Sequence, residues 1–152
     1  MEPRWILKKF DELTVHELYA ILRLRNEVFA VEQNCVYADM DNKDQLSWHV
    51  MYHEDGRLLA YTRLVPPGVS YTYPSIGRVV TAMPARKRGL GRQLMLFSIH
   101  CCEKLFGKTP IQIGAQLYLK KFYESLGFRQ TSDIYTEDGI KHVEMIHTPV
   151  VS

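Results

Sequence analysis

The sequence predicts an α+β fold: a mixed β-sheet of about seven strands, parallel at its centre, with helices on both faces. Three observations carry this reading. Short β-branched and aromatic runs alternate with apolar residues at helical spacing, in the order β-α-β-β-β-α-β-α-β-β. Helical crossovers follow the fourth and fifth strands, and such a crossover is how a chain returns to lay down a parallel neighbour. Two Asp-Gly pairs, Asp55-Gly56 and Asp138-Gly139, mark tight hairpins.

Residues 4–10 read as the first strand. Thr14 can cap a helix, with Glu17 completing a capping box and Leu13 able to staple against Leu18. Val15, Leu18, Tyr19, Leu22 and Phe29 keep the helical period, which carries this helix to about Gln33. Residues 34–46 are polar and acidic, lack a period and read as a loop. Trp48–His53 and Arg57–Val65 are strands joined at Asp55-Gly56, and Pro66-Pro67-Gly68 ends the second. Ser75–Ala82 is a short β-branched strand. A second helix covers about Gly89–Phe106, with Leu90, Leu94, Phe97, Cys101 and Leu105 on one face and Gly107 as its stop. Ile111–Ala115 reads as a buried strand. Leu117–Leu126 reads as a third helix turning Leu119, Phe122, Tyr123 and Leu126 inward, closed by Gly127. The last strands, near Phe128–Tyr135 and Ile140–His147, flank Asp138-Gly139.

The 152 residues suit a single domain over 1–152, and 46% hydrophobic with 24% charged residues is an ordinary globular balance. No apolar run approaches the roughly 18–20 residues of a membrane span. Met1-Glu2-Pro3-Arg4-Trp5 lacks the features of a signal peptide, so a cytoplasmic protein is expected. Three cysteines, Cys35, Cys101 and Cys102, show no framework spacing and read as reduced, mostly buried thiols. His49 and His53 share an H-x-x-x-H spacing, but on a strand and without a carboxylate, so no metal is expected. The net charge of +2 is too mild to imply nucleic acid, and the basic cluster at 86–92 has no interleaved aromatics.

That cluster is the most informative stretch. A strand, Ile76-Gly77-Arg78-Val79-Val80-Thr81, runs into Arg86-Lys87-Arg88-Gly89-Leu90-Gly91-Arg92 and then a helix. Two glycines spaced by one residue let the backbone turn sharply and approach a ligand closely. The first turn of a helix offers unpaired N–H groups and a positive dipole end, which together suit an anion. Arginine and lysine crowded at that end oppose the dipole, a conflict that a bound polyanion resolves. A solvated basic turn with glycine as punctuation is the plainer alternative.

Strand, R-x-x-G-x-G (Arg86, Gly89, Gly91) and amphipathic helix together resemble the coenzyme A signature of the GNAT superfamily of N-acetyltransferases. Phe122-Tyr123-Glu124-Ser125-Leu126-Gly127-Phe128 resembles that family's F-Y-x-x-x-G-F helix end, and Gln116 sits where the family often has an Asn near the pantetheine. A closer likeness is to the ElaA-like branch. It is carried by residues 25–37, Ile76-Gly77-Arg78-Val79, Ala115-Gln116 and residues 137–142. The resemblance implies a partly splayed GNAT-like sheet and acetyl-coenzyme A as co-substrate, without a metal. The implied cofactor-binding residues are Val79, Val80, Thr81, Arg86, Lys87, Arg88, Gly89, Leu90, Gly91, Arg92 and Gln116, with a backbone amide within Val79 to Thr81 polarising the thioester carbonyl.

By the same resemblance Tyr123 is the catalytic acid. A phenol at about 10 keeps its proton until a thiolate with a reference value of about 8.5 forms. Spacing alone equally allows Tyr123 a packing role. The general base is not visible: the strand at 76–81 carries no carboxylate, Arg78 is its only charged residue, and ordered water stands beside Glu32, His49 and His142 as candidates. Pro84 lies one position later than the family's usual proline, a local shift of the loop.

The substrate-binding residues expected are Arg25, Glu32, Gln33, His49, Arg63 and His142, with Asp41 and Asp44 nearby. Each could instead be surface or loop decoration. The resulting expectation is an acetyltransferase acting on a primary amine of a small molecule or peptide. A coenzyme A-binding sensor or scaffold without turnover is the alternative. Exposed strand edges after the third helix would suit a homodimer.

Overall fold

The computed structural model describes residues 4–150, so Met1 to Pro3 of the N-terminal reading lie outside the described residues. β1 is Arg4–Lys9. α1, Val15–Arg25, begins as its sequence predicts. Thr14 Oγ1 accepts from the Glu17 N–H at 3.0 Å, and Glu17 Oε1 accepts from the Thr14 N–H at 2.9 Å. The helix continues to Glu32, but Asn26–Glu32 is wound as a π-helix. β2 (Trp48–Glu54) and β3 (Arg57–Val65) form the hairpin at Asp55-Gly56, whose φ values of 52° and 73° are those of a left-handed two-residue turn. β4 is Ser75–Thr81, α2 is Leu90–Phe106 and β5 is Ile111–Gln116. α3 is short, Lys120–Glu124, preceded by a 3-10 turn at Leu117–Leu119. β6 (Phe128–Gln130), β7 (Tyr135–Glu137) and β8 (Ile140–His147) close the chain.

Two features depart from the expected sheet. The predicted strand over 128–135 is two strands, making eight among the described residues. Both pair with β8. Between them the Ser132 hydroxyl accepts from the Glu144 N–H at 2.8 Å, a bond that stands in for the backbone ladder and breaks the strand.

The centrally parallel sheet is also corrected. The described strands form two antiparallel sheets, β1-β2-β3-β4 and β5-β8-β6 with β7 on β8. The α2 crossover does bring β5 beside β4. Their starts meet where the Gln112 N–H donates to the Pro74 carbonyl at 3.0 Å, but no ladder joins them. The reason lies in β4. Two steps along β3, Tyr61 to Arg63, answer three along β4, Val80 to Gly77, and Arg78 takes φ 51°. Such a bulge bends its strand, and the edge that would have paired with β5 lines a cavity instead.

Helices do lie on both faces. β2 alternates: Val50 and Tyr52 face the cluster holding Leu94, Met95 and Ile99 of α2, whereas Met51 faces Ile21 and Leu24 of α1. A strand covered on both sides reads as nearly continuous apolar sequence, as β3 does. Within the α2 cluster, Ser98 Oγ donates to the Leu94 carbonyl at 2.8 Å and so accepts from Thr62 Oγ1 at 2.7 Å, satisfying both buried hydroxyls. Cys101 and Cys102 are buried, and desolvation pushes their thiols up to about 11 and about 12. No helix among the described residues is long and apolar enough to cross a membrane.

Thr14→Ala removes one half of the reciprocal cap on α1. We expect a loss of about 1 kcal/mol in urea unfolding, with an unchanged m-value.

Candidate functional site

The opening between β4 and β5 is a cavity of about 680 Å³, walled also by the π-helix, the start of α2, α3 and the β7–β8 turn. Three side-chain links hold these walls together. Gln33 Nε2 donates to Gln116 Oε1 at 3.2 Å across the opening. Glu32 Oε2 accepts from Arg86 Nη1 at 2.7 Å, tying the π-helix to the basic loop. The Cys35 thiol donates to the Asp138 carbonyl at 3.3 Å.

Where the loop enters α2, no hydrogen bond within the described residues uses the backbone N–H groups of residues 87–92. Lys87 and Gly89 take φ values of 68° and 72°, which turns this run of amides outward. A Cβ at Gly89 would meet no atom within 4 Å, so the space above it is open. The three arginine side chains are held rather than loose. Arg86 also donates to the Thr81 carbonyl at 3.3 Å, Arg88 to Glu54 Oε2 at 2.7 Å and Arg92 to Ser125 Oγ at 3.2 Å.

Of the residues predicted to bind a cofactor, Val79, Val80, Thr81, Arg86, Gly91 and Gln116 line the cavity. Lys87, Arg88, Gly89 and Arg92 stand beside it. The Leu90 side chain packs in the core, while its amide belongs to the unpaired run.

Tyr123 lines the same cavity from α3 and is 6% exposed. Its ring meets Phe122 and Phe128 edge-on at 5.2 and 5.8 Å. The packing reading holds for the ring, while the hydroxyl has no hydrogen bond among the described residues. Burial, with a smaller push from Tyr118, raises this phenol well above its usual range, so it keeps its proton.

The acidic loop is ordered by charge. Arg25 Nε donates to Asp39 Oδ2 at 2.9 Å and Nη1 to Asp44 Oδ1 at 2.7 Å. Arg63 grips both oxygens of Asp41 at 2.8 and 2.9 Å and reaches Asp44 Oδ1 at 3.0 Å. Arg78 Nε donates to Asp39 Oδ1 at 2.8 Å, and Tyr37 donates to the same oxygen at 2.6 Å. Burial would raise the Asp41 carboxyl, but Arg63 outweighs it and holds the group down at about 2. Asp44 is lowered in the same way, by Arg25 and Arg63 acting against burial.

Here the expected pocket is corrected. Arg25 is 0% exposed and His49 1%. His49 Nε2 donates to the Asp44 carbonyl at 2.9 Å, so Nδ1 accepts from the Tyr61 hydroxyl at 2.6 Å. Both side chains are enclosed behind the wall with their polar atoms engaged, and neither lines the cavity. Glu32, Gln33, Asp41, Arg63 and His142 do line it.

Sequence reasoning missed several wall residues: Arg78, Tyr37, Tyr71 and Glu137. Arg78 had a signal, being the lone charge on an otherwise apolar strand. The tyrosines had none. Tyr71 and Tyr135 converge on Gly114, where an added Cβ would come within 3.1 and 2.9 Å of their hydroxyls.

Comparison with known proteins places this arrangement. Residues 11–149 match the family profile described as Acetyltransferase (GNAT) domain. A UPF0039 protein of Synechocystis is 38% identical over 147 residues, covering 96% of each chain. The crystal structure of an acyl-CoA N-acyltransferase from Pseudomonas aeruginosa superposes with a TM-score of 0.92 at 41% identity, over 97% of this chain and 100% of that one. That of Escherichia coli ElaA superposes with a TM-score of 0.90 at 35% identity, over 96% and 99%.

The arginine–aspartate network makes two measurable statements. Asp44→Asn leaves two buried guanidinium groups short of a charge and should cost about 3–5 kcal/mol in urea unfolding. Asp41 is depressed from an unfolded value of about 3.9, so its contribution is complete above about pH 4. It should be lost as pH falls toward about 2. Stability measured across that window should fall more steeply for the parent than for Asp41→Asn.

Proposed function

The chain belongs to the GNAT acetyltransferase family, and from that premise we propose that it moves an acetyl group from acetyl-coenzyme A to the primary amine of a small molecule or peptide. The observation that carries this reading is the run of unpaired amides at residues 87–92, beside a cavity that leads to the unbonded Tyr123 hydroxyl.

The residues fit the donor. A pyrophosphate accepts from the amides of residues 87–92 at the positive end of α2, each bond to a charged group contributing about 1.5–3 kcal/mol. Arg86, Lys87, Arg88 and Arg92 supply charge around it. The opening between β4 and β5, with Gln116 on its wall, would hold the pantetheine arm. The unpaired edge of β4 within Val79 to Thr81 polarises the thioester carbonyl. As the amine nitrogen bonds to the carbonyl carbon and the C–S bond breaks, Tyr123 gives its proton to the departing thiolate. Glu32, Gln33, Arg63 and His142 border the space left for the acceptor, while Arg25 and His49 support that wall from behind.

A second reading, a sensor that holds coenzyme A without turnover, is favoured by one observation: β4 carries no carboxylate. Transfer from acetyl-coenzyme A in an amine screen separates the two.

Three outcomes are expected. Gly89→Val places a β-branched side chain at φ 72°, over the amides, and should weaken coenzyme A binding by more than tenfold in calorimetry. Binding should weaken steadily as salt rises, because exposed charges are screened over about 8 Å at physiological ionic strength. Tyr123→Phe keeps the packed ring and should preserve cofactor affinity while lowering turnover by roughly 10²–10⁴-fold, provided chemistry limits the rate.

A further inference from the structure

Acyl transfer to an amine needs a group that takes a proton from the ammonium before attack. Most basic groups around the cavity are already committed. Glu32 is held by Arg86 at 2.7 Å, Asp41 by both nitrogens of the Arg63 fork, and Asp39 and Asp44 by the buried network. His49 is enclosed with both nitrogens bonded. His142 differs.

His142 sits on β8, opposite Gln116 of β5 and Tyr135 of β7. It lines the cavity that Tyr123 also lines. Its Nδ1 lies 2.8 Å from the Ile140 carbonyl. A carbonyl only accepts, so Nδ1 carries the proton and neutral His142 keeps its lone pair on Nε2. No hydrogen bond reaches Nε2 among the described residues. Nor is Nε2 one of the sealed, partnerless polar atoms, as His53 Nδ1 and His147 Nδ1 are. The lone pair is therefore accessible.

Tyr135 stacks on the ring with centroids 5.7 Å apart and an interplanar angle of 24°, which holds its plane. Glu137 Oε2 stands 3.8 Å from Nε2. That is too far for a hydrogen bond, yet close enough to stabilise the ring once it is charged. The other polar groups at this end are Tyr71 from the β3–β4 connection, Glu144 two residues along β8, Asp138 of the turn, and the uncharged Gln33–Gln116 pair.

We propose that His142 is the general base that deprotonates an alkylammonium acceptor, with Glu137 as its positioning residue. The proposal rests on the acetyltransferase reading above. The ammonium gives one proton to Nε2, and the imidazolium later releases it to solvent. The freed lone pair forms the C–N bond, the C–S electron pair leaves with sulfur, and the thiolate takes the Tyr123 proton. The second proton lost by nitrogen as the amide forms restores Tyr123 through water. Ammonium and thioester thus become amide, thiol and one released proton.

The test compares the parent, His142→Gln and Glu137→Gln with acetyl-coenzyme A and two matched probes, phenethylamine and its β,β-difluoro analogue. The fluorines lower the basicity of the amine, so the second probe arrives largely neutral. kcat/KM is followed from about pH 5 to about pH 9, the range that brackets the charge change of an imidazole. The parent should show an acidic limb. With phenethylamine near neutral pH, His142→Gln should lose roughly 10²–10⁴-fold and that limb. With the fluorinated amine the loss should shrink below about tenfold, because the proton is already gone. Glu137 is largely exposed, so Glu137→Gln leaves the fold intact and should lower kcat/KM for phenethylamine more than for the fluorinated amine, because only the first needs the ring to take a proton. Coenzyme A affinity, read by calorimetry, should be unchanged in both variants. An equal loss for both amines in either variant, or a limb that survives in His142→Gln, would overturn the proposal. A parent that acetylates neither amine nor any other amine in the screen would overturn the acetyltransferase reading, and this proposal with it.

Discussion

The interaction on which the site depends is the balanced set of Arg25, Arg63 and Arg78 against Asp39, Asp41 and Asp44. It draws together α1, the acidic segment after the π-helix, β3 and β4. Each ion loses several kcal/mol of hydration on burial, so such a set adds little net stability over a packed apolar core. Its contribution is geometric. Without it, residues 34–46 have no apolar period to order them; with it, they become one wall of the cavity. The same bonds seat Arg78 at its left-handed position in β4, where the bulge bends the strand away from β5.

Backbone groups are left open in two places. One is the β4 edge facing β5. The other is the turn into α2, where the left-handed conformations of Lys87 and Gly89 present successive N–H groups outward. Buried backbone groups are nearly always paired, so exposed runs of amides beside a cavity are where a polar, extended ligand is accommodated. The π-helix contributes similarly. Its wider winding carries Glu32 and Gln33 toward Arg86 and Gln116, bridging the two halves across the opening.

The antiparallel hairpins, the cap of α1, the amphipathic face of α2 and the glycine-spaced turn were all legible in the chain. Each depends on neighbours within a few residues, and Thr14–Glu17 and Asp55-Gly56 adopt the local geometry their chemistry dictates. The glycine-spaced Arg86–Arg92 turn was legible for the same reason, whereas Tyr123 stood out through family resemblance, since its spacing alone equally allowed a packing role. The break at Ser132 of the strand expected over 128–135 was not legible, because the hydroxyl takes up an N–H on β8 twelve positions away. Arg25 and His49 were expected in the pocket but lie behind the cavity wall. A polar residue on a helix or strand carries no local mark of whether its partners come from solvent or from a distant loop.

By itself, the sequence determined the order of the elements, the two Asp-Gly turns, the glycine-spaced basic turn into α2 and the inward placement of the Tyr123 ring, since these arise from local backbone preference and side-chain period. Only the tertiary structure decided that the sheet is two antiparallel halves rather than one centrally parallel sheet. It alone decided which charges are spent on one another, and that His142 keeps a free lone pair while His49 does not. Those outcomes depend on pairings between residues far apart in the chain, where the cost of burying an ion or opening a ladder is settled by whatever the fold brings alongside.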